Sequence, residues 1–117
     1  MIEHITIQTN KFEEEIQFYN KYLSIGVQID MRNQGRNMVF LGKSKTDTLI
    51  EVIENLEIKE TNNENISIGF KVKDLQEKQN LLQKEGFSPT KIISPNKHIR
   101  FFFVKDPAGM NVQFIEE

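Results

Sequence analysis

From His4 to Thr9 apolar and polar side chains alternate, with Ile5 and Ile7 on one face and His4, Thr6 and Gln8 on the other. That is the period of a half-buried strand. From Lys11 to Leu23 the period changes: Phe12, Ile16, Tyr19 and Leu23 recur as one apolar stripe on an amphipathic helix, with Tyr22 at its edge. Gly26 is the expected stop. Three strand-like runs follow over 27–33, 37–43 and 48–54, parted by turn-forming residues at Asn33 to Gly35 and Lys43 to Asp47. The order is βαβββ.

After a polar connector over 55–65 the same order begins again. A strand is predicted over 66–72, and a helix over 74–86 with Asp74 as N-cap and Gly86 as terminator. Strands are predicted over 88–93, 98–106 and 110–117. The halves can be laid on each other: an offset of 62 or 63 residues brings His4 onto Ser67, Ile5 onto Ile68, Ile7 onto Phe70, Glu51 onto Gln113 and Glu54 onto Glu116. This predicts an α+β chain of two βαβββ modules, 1–54 and 66–117. Neither half is long enough to close a core of its own, so an approximate two-fold relation is expected to gather equivalent positions around one shared cleft.

Composition narrows what such a cleft serves. The 117 residues suit one domain, and 38% apolar with 27% charged residues is ordinary for a globular chain. The formal charge is −2 with Lys and Glu interleaved, so no basic stripe marks a nucleic-acid surface and no polybasic patch marks a membrane. Cysteine is absent, which excludes disulfides, thiolate metal ligands and a cysteine nucleophile. The first residues carry neither a basic leader nor a long apolar run, and the chain is read as cytoplasmic.

Four polar residues sit on strands whose neighbours are mostly apolar: His4 and Glu51 in the first half, Ser67 and Gln113 in the second. A lone histidine at a strand start is ordinarily a hydrogen-bonded one, and the pairing of His4 with Glu51 makes a functional role, in a metal site or an acid/base pair, about equally expected. An inward glutamine is either a neutral hydrogen-bonding group or a weak substitute for a carboxylate. Phe101, Phe102 and Phe103 form the densest aromatic run. Alternation sends Phe102 one way and its neighbours the other, so one face is core and one lines the cleft. His98 and Arg100 enter that strand on the Phe102 face and are candidates for gripping an anionic ligand, though basic residues beside a turn are most often just solvated, and Phe102 is a candidate for the ligand's apolar part. Asp106-Pro107-Ala108-Gly109 reads as the turn of the final hairpin.

On HITI in the first strand, FYNKYLSIGV closing the first helix, FKVKDL leading into the second and FFFVKDPAGMNVQFIE at the end, the chain resembles the glyoxalase, bleomycin-resistance and extradiol-dioxygenase superfamily, the vicinal oxygen chelate proteins. The resemblance runs over essentially the whole chain. It implies a half-open barrel of two βαβββ modules, often assembled as a homodimer, with a divalent ion held by residues from the first and last strand of each module. Carried over, those places are His4, Glu51, Ser67 and Gln113; Ser67 stands where a His is common and Gln113 where a Glu is common. A serine hydroxyl is a poor ligand and a carboxamide adds no charge, so His4 and Glu51 are the strong donors and Gln113 a third at most. Glu51 is also the carboxylate left for proton transfer. Three function classes follow. The first is a metal-free protein that binds or sequesters a small molecule in an aromatic-lined cleft, with Gln113 neutral. The second is a divergent lyase, isomerase or dioxygenase using Zn, Ni, Mn or Fe at His4 and Glu51. The third is a regulatory or scaffold role.

Overall fold

The computed structural model describes residues 1–59 and 63–117. They form two compact units, Met1–Thr61 and Asn62–Glu117. Of the expected 55–65 connector, residues 60–62 lie outside the described residues.

In the first unit β1 (His4–Thr9) is followed by α1 (Phe12–Leu23), β2 (Gly26–Asp30), β3 (Met38–Gly42) and β4 (Leu49–Glu54). The strands make one sheet in the order β1-β4-β3-β2, in which β4 runs parallel to β1 and antiparallel to β3. α1 packs along β4 and β2. Ile7, Thr9, Val39, Leu41 and Val52 supply the buried face of the sheet, and the helix adds Phe12, Phe18, Tyr19, Tyr22 and Leu23. The predicted stripe is therefore wider than expected: Ile16 is only half-buried, while Tyr22 and even Glu15 are interior. Gly26 does not end the helix. Ser24 takes the left-handed conformation instead (φ 56°), and its N–H closes on Asn20 O at 3.2 Å, the αL form of helix end, which frees Gly26 to start β2.

β2 stops at Asp30 because the chain turns into a single 3₁₀ turn at Arg32–Gln34. The Arg32 backbone and guanidinium both donate to the Asp30 carboxylate, at 2.7–3.0 Å. Those bonds hold its pKa down to about 2.

The second unit repeats the plan with β5 (Asn63–Val72), α2 (Leu75–Lys84), β6 (Ile93–Asn96), β7 (Ile99–Lys105) and β8 (Met110–Glu116). Its sheet order is β5-β8-β7-β6, with β8 parallel to β5. β5 starts three residues before the predicted strand, and its pairing with β8 is irregular between Asn63 and Ser67. Asp74 does occupy the N-cap place, but at φ 55° and without a side-chain capping bond, because the left-handed backbone turns its carboxylate off the helix end. Gly86 (φ 95°) follows the helix as expected.

The strand predicted over 88–93 shrinks to β6, displaced toward Asn96. Pro89 in the predicted stretch removes a ladder donor. Thr90 compensates by exchanging two bonds with Phe103, its N–H donating to the carbonyl (2.8 Å) and its Oγ1 accepting from the amide (3.0 Å). The β7–β8 hairpin is fixed by Asp106, whose buried carboxylate accepts from Ala108 N–H (3.0 Å) and Met110 N–H (2.9 Å) while Gly109 takes φ 87°. The tight turn needs that positive φ, which glycine adopts without strain.

The core of this unit centres on Phe102 and Phe114, paired across β7 and β8 and stacked at 4.8 Å with a 14° interplanar angle. Both are fully buried. Phe114→Ala is expected to cost about 3–5 kcal/mol in urea or thermal unfolding. A loss below about 1 kcal/mol would mean that the stack contributes little to the unit.

Candidate functional site

Parallel pairing of β1 with β4 puts Thr6 beside Glu51, and antiparallel pairing of β3 with β4 puts Phe40 on its other side. His4 lies two residues up β1 on the same face. This is the less buried face of the sheet: His4 is 39% and Glu51 12% exposed at the side chain. Thr6 Oγ1 donates to Glu51 Oε1 at 2.6 Å, the short length of a charge-assisted bond. His4 Nε2 stands 3.6 Å from the same oxygen, outside hydrogen-bond range. The imidazole meets Phe40 edge-on, centroids 5.5 Å apart at 79°. The sequence pairing of His4 with Glu51 is thus a real juxtaposition, to which the structure adds Thr6 and Phe40.

The second unit carries the matching row. Gln113 of β8 lies between Gly69 of β5 and Phe103 of β7, and Ser67 lies two residues before Gly69 on the same face. Gly69 leaves room for a close approach: a Cβ there would lie 3.0 Å from Ile115 Cδ1 and 3.1 Å from Gln113 Oε1. The Gln113 side chain therefore rests over a strand position with no side chain of its own. Phe101 pairs with Ile115 in the next row and meets Phe103 edge-on at 5.7 Å. Phe101, Phe103, Gln113 and Ile115 are all half-buried, and Ser67 and Gly69 are exposed.

The other residues expected to bind ligand lie elsewhere in this unit. Phe102 belongs to the core stack on the opposite face from Gln113, because its partner across the hairpin is Phe114 and not Gln113. Arg100 shares the Phe102 side of β7 and gives its guanidinium to Glu116, Nη1 to Oε2 at 2.9 Å. His98 is exposed in the β6–β7 turn, its backbone N–H donating to Asn96 Oδ1 at 2.8 Å. The aromatic residues on the Gln113 face are Phe101 and Phe103. The sequence overlay did not select them, since the offset of 63 lays Phe40 on Phe103 but the offset of 62 that lays Glu51 on Gln113 lays it on Phe102.

The donor set bears on a metal. Two ligands of one tetrahedral ion at bonds of about 2.1 Å stand roughly 3.4 Å apart, and the 3.6 Å between His4 Nε2 and Glu51 Oε1 is close to that edge. The pair supplies two donors, where a catalytic zinc keeps three protein ligands. Among the described residues no group of three or more His, Cys, Asp or Glu converges to hold an ion. The first unit alone does not complete a metal site.

Comparison with known proteins matches these two modules to a family. The model of the glyoxalase/bleomycin resistance protein/dioxygenase superfamily covers residues 1–114, and the chain belongs to that superfamily. Among solved structures it is similar to the trypanothione-dependent glyoxalase I of Leishmania major (22% identity, TM-score 0.77, covering 100% of this chain and 86% of that one). It is also similar to a glyoxalase/dioxygenase from Nostoc punctiforme (11%, 0.78, 100% and 90%) and to lactoylglutathione lyase from Agrobacterium tumefaciens (14%, 0.68, 99% and 92%). At these identities the likeness is one of fold. A search of curated proteins finds no match. Among the described residues no helix is long and apolar enough to cross a membrane.

Gly69→Ala is expected to fold, because both atoms it crowds end flexible side chains, with stability within about 1 kcal/mol of wild type. Its signature is displacement of the Gln113 side-chain NH₂ resonances in a ¹H–¹⁵N spectrum. Unmoved resonances would show that Gly69 is not what makes room for the amide.

Proposed function

We propose that this protein binds or sequesters a small molecule, using the half-buried aromatic face of the second sheet: Phe101, Phe103 and Ile115 for the body of the ligand, Gln113 and Ser67 for its polar groups. The observation that supports this most is the Gly69–Gln113–Phe103 row. Where the first module has a carboxylate, the second has a neutral amide that offers donor and acceptor together, over a glycine and beside an aromatic ring. Such a surface suits an uncharged, flat, hydrogen-bonding group. Binding without turnover is compatible with a candidate site whose strong metal donors, among the described residues, are His4 and Glu51. Cytoplasmic residence and a homodimer belong to the same proposal; a monomer in sedimentation velocity at micromolar concentration would remove the dimer from it.

A second reading is favoured by the 3.6 Å between His4 and Glu51: a divergent lyase, isomerase or dioxygenase that uses a divalent ion. The ion, when bound, would supply Lewis-acid polarisation of substrate oxygens. Of the chain's own groups, Glu51 would hold or move the proton, Thr6 would orient it through its 2.6 Å bond, and His4 would share in holding the ion.

One thermal-shift series tests both. Chelator-stripped protein is titrated with Zn²⁺, Ni²⁺, Mn²⁺ and Fe²⁺ and screened against small aromatic compounds, beside His4→Ala, Glu51→Gln and Phe103→Ala. Saturation at a hundred times Kd stabilises the fold by about 2.7 kcal/mol, a shift of several degrees. The binding reading expects a compound whose shift survives Glu51→Gln and whose affinity falls about tenfold or more, at least roughly 1.4 kcal/mol, in Phe103→Ala. Shifts by an ion alone, abolished in His4→Ala and Glu51→Gln, would replace it with the metal reading.

A further inference from the structure

Thr6 carries no role in either reading beyond its bond to Glu51, yet its position is specific. Its hydroxyl donates to Glu51 Oε1 at 2.6 Å, and that oxygen is the one 3.6 Å from His4 Nε2. A carboxylate and an imidazole this close would ordinarily close to a direct hydrogen bond, at about 2.7–3.2 Å between heavy atoms. Here the short bond goes to the neighbouring hydroxyl instead. We propose that Thr6 is a positioning residue whose bond fixes the Glu51 carboxylate where it stands off from His4, and so leaves acid and imidazole both facing a third body.

Three features of the chain support this. The parallel register sets Thr6 directly beside Glu51, and a β-branched side chain has few χ1 choices, so the hydroxyl is aimed by the strand itself. The imidazole reaches over β4 to meet Phe40 of β3 edge-on, so its place is set by a ring contact and not by a bond to Glu51. In the second module the equivalent position is Gly69, beside a carboxamide that carries its own donors. The hydroxyl accompanies the acid and is absent beside the amide. The consequence for function rests on reading the His4–Glu51 face as part of the ligand site; the geometric claim does not.

The experiment uses the whole chain without added ion or ligand, as wild type, Thr6→Val and Thr6→Ser, isotope-labelled and held at alkaline pH where imidazole is ordinarily neutral. Long-range ¹H–¹⁵N spectra read the His4 nitrogens, and ¹³C spectra read the Glu51 carboxyl. Thr6→Val is expected to move His4 Nε2 toward a hydrogen-bonded shift and the Glu51 carboxyl with it, while Thr6→Ser stays at the wild-type positions. Resonances unchanged in Thr6→Val, or moved equally in Thr6→Ser, overturn the proposal. Thr6 is exposed and valine keeps the strand preference of threonine, so the variant should fold; Thr6→Ala, read in the same way, guards against a defect particular to valine. A second arm titrates Mn²⁺ and Zn²⁺ by calorimetry. If wild type binds, Thr6→Val should bind about 10–100-fold more weakly and Thr6→Ser nearly as wild type, and equal affinity in Thr6→Val counts against the proposal. If wild type binds neither ion, the metal reading fails and the resonances alone decide the role of Thr6.

Discussion

The pairing of the first strand of each module with its last, in parallel, is the constraint from which the rest follows. It brings β1 beside β4 and β5 beside β8, and so makes neighbours of residues far apart in the chain. Its register is held by burial: Ile7 pairs with Val52 and Ile68 with Val112, and a slip by one residue would turn Val52 and Val112 out of the core. The polar row on the opposite face inherits that precision. Thr6 meets Glu51, and Gly69 meets Gln113, in a register whose one-residue slips the apolar face excludes.

On this shared scaffold the modules diverge in chemistry. The first row, Thr6–Glu51–Phe40, is ionic, with a hydroxyl and an imidazole gathered around one carboxylate oxygen. The second, Gly69–Gln113–Phe103, is neutral. An anion that is mostly buried requires donors from its neighbours, whereas an amide meets half of its own needs and requires mainly space. The threonine and the glycine answer those two demands. The phenylalanine is common to both rows, so the aromatic wall belongs to the scaffold and the charge to one module.

Much of this was legible in the sequence. Alternation and helical period gave both βαβββ modules, and the internal offset brought out His4, Glu51, Ser67 and Gln113. What failed was choosing between faces. The Phe101–Phe103 run alternates whichever way it is turned, and only the hairpin register shows that Phe103, not Phe102, lies beside Gln113. That register depends on how Asp106 folds the turn through its side chain, which the pattern of apolar residues does not encode. Thr6 was passed over for a similar reason: on β1 it is one polar residue among three on its face, and its significance appears only when β4 arrives beside it. Ser24 in place of Gly26, and the shortened β6, are local matters of backbone geometry that a strong periodic signal on either side conceals.

The bond between Thr6 and Glu51 spans 45 residues of chain. Contacts of such long sequence separation carry a high closure entropy, and chains rich in them fold slowly. No fragment that ends before β4 can contain the ionic row, however well its helix and earlier strands have formed. During synthesis the row cannot exist until nearly all of its module has emerged, so the acid and the imidazole are never held side by side by a half-made chain. The strand that completes the sheet also completes the row.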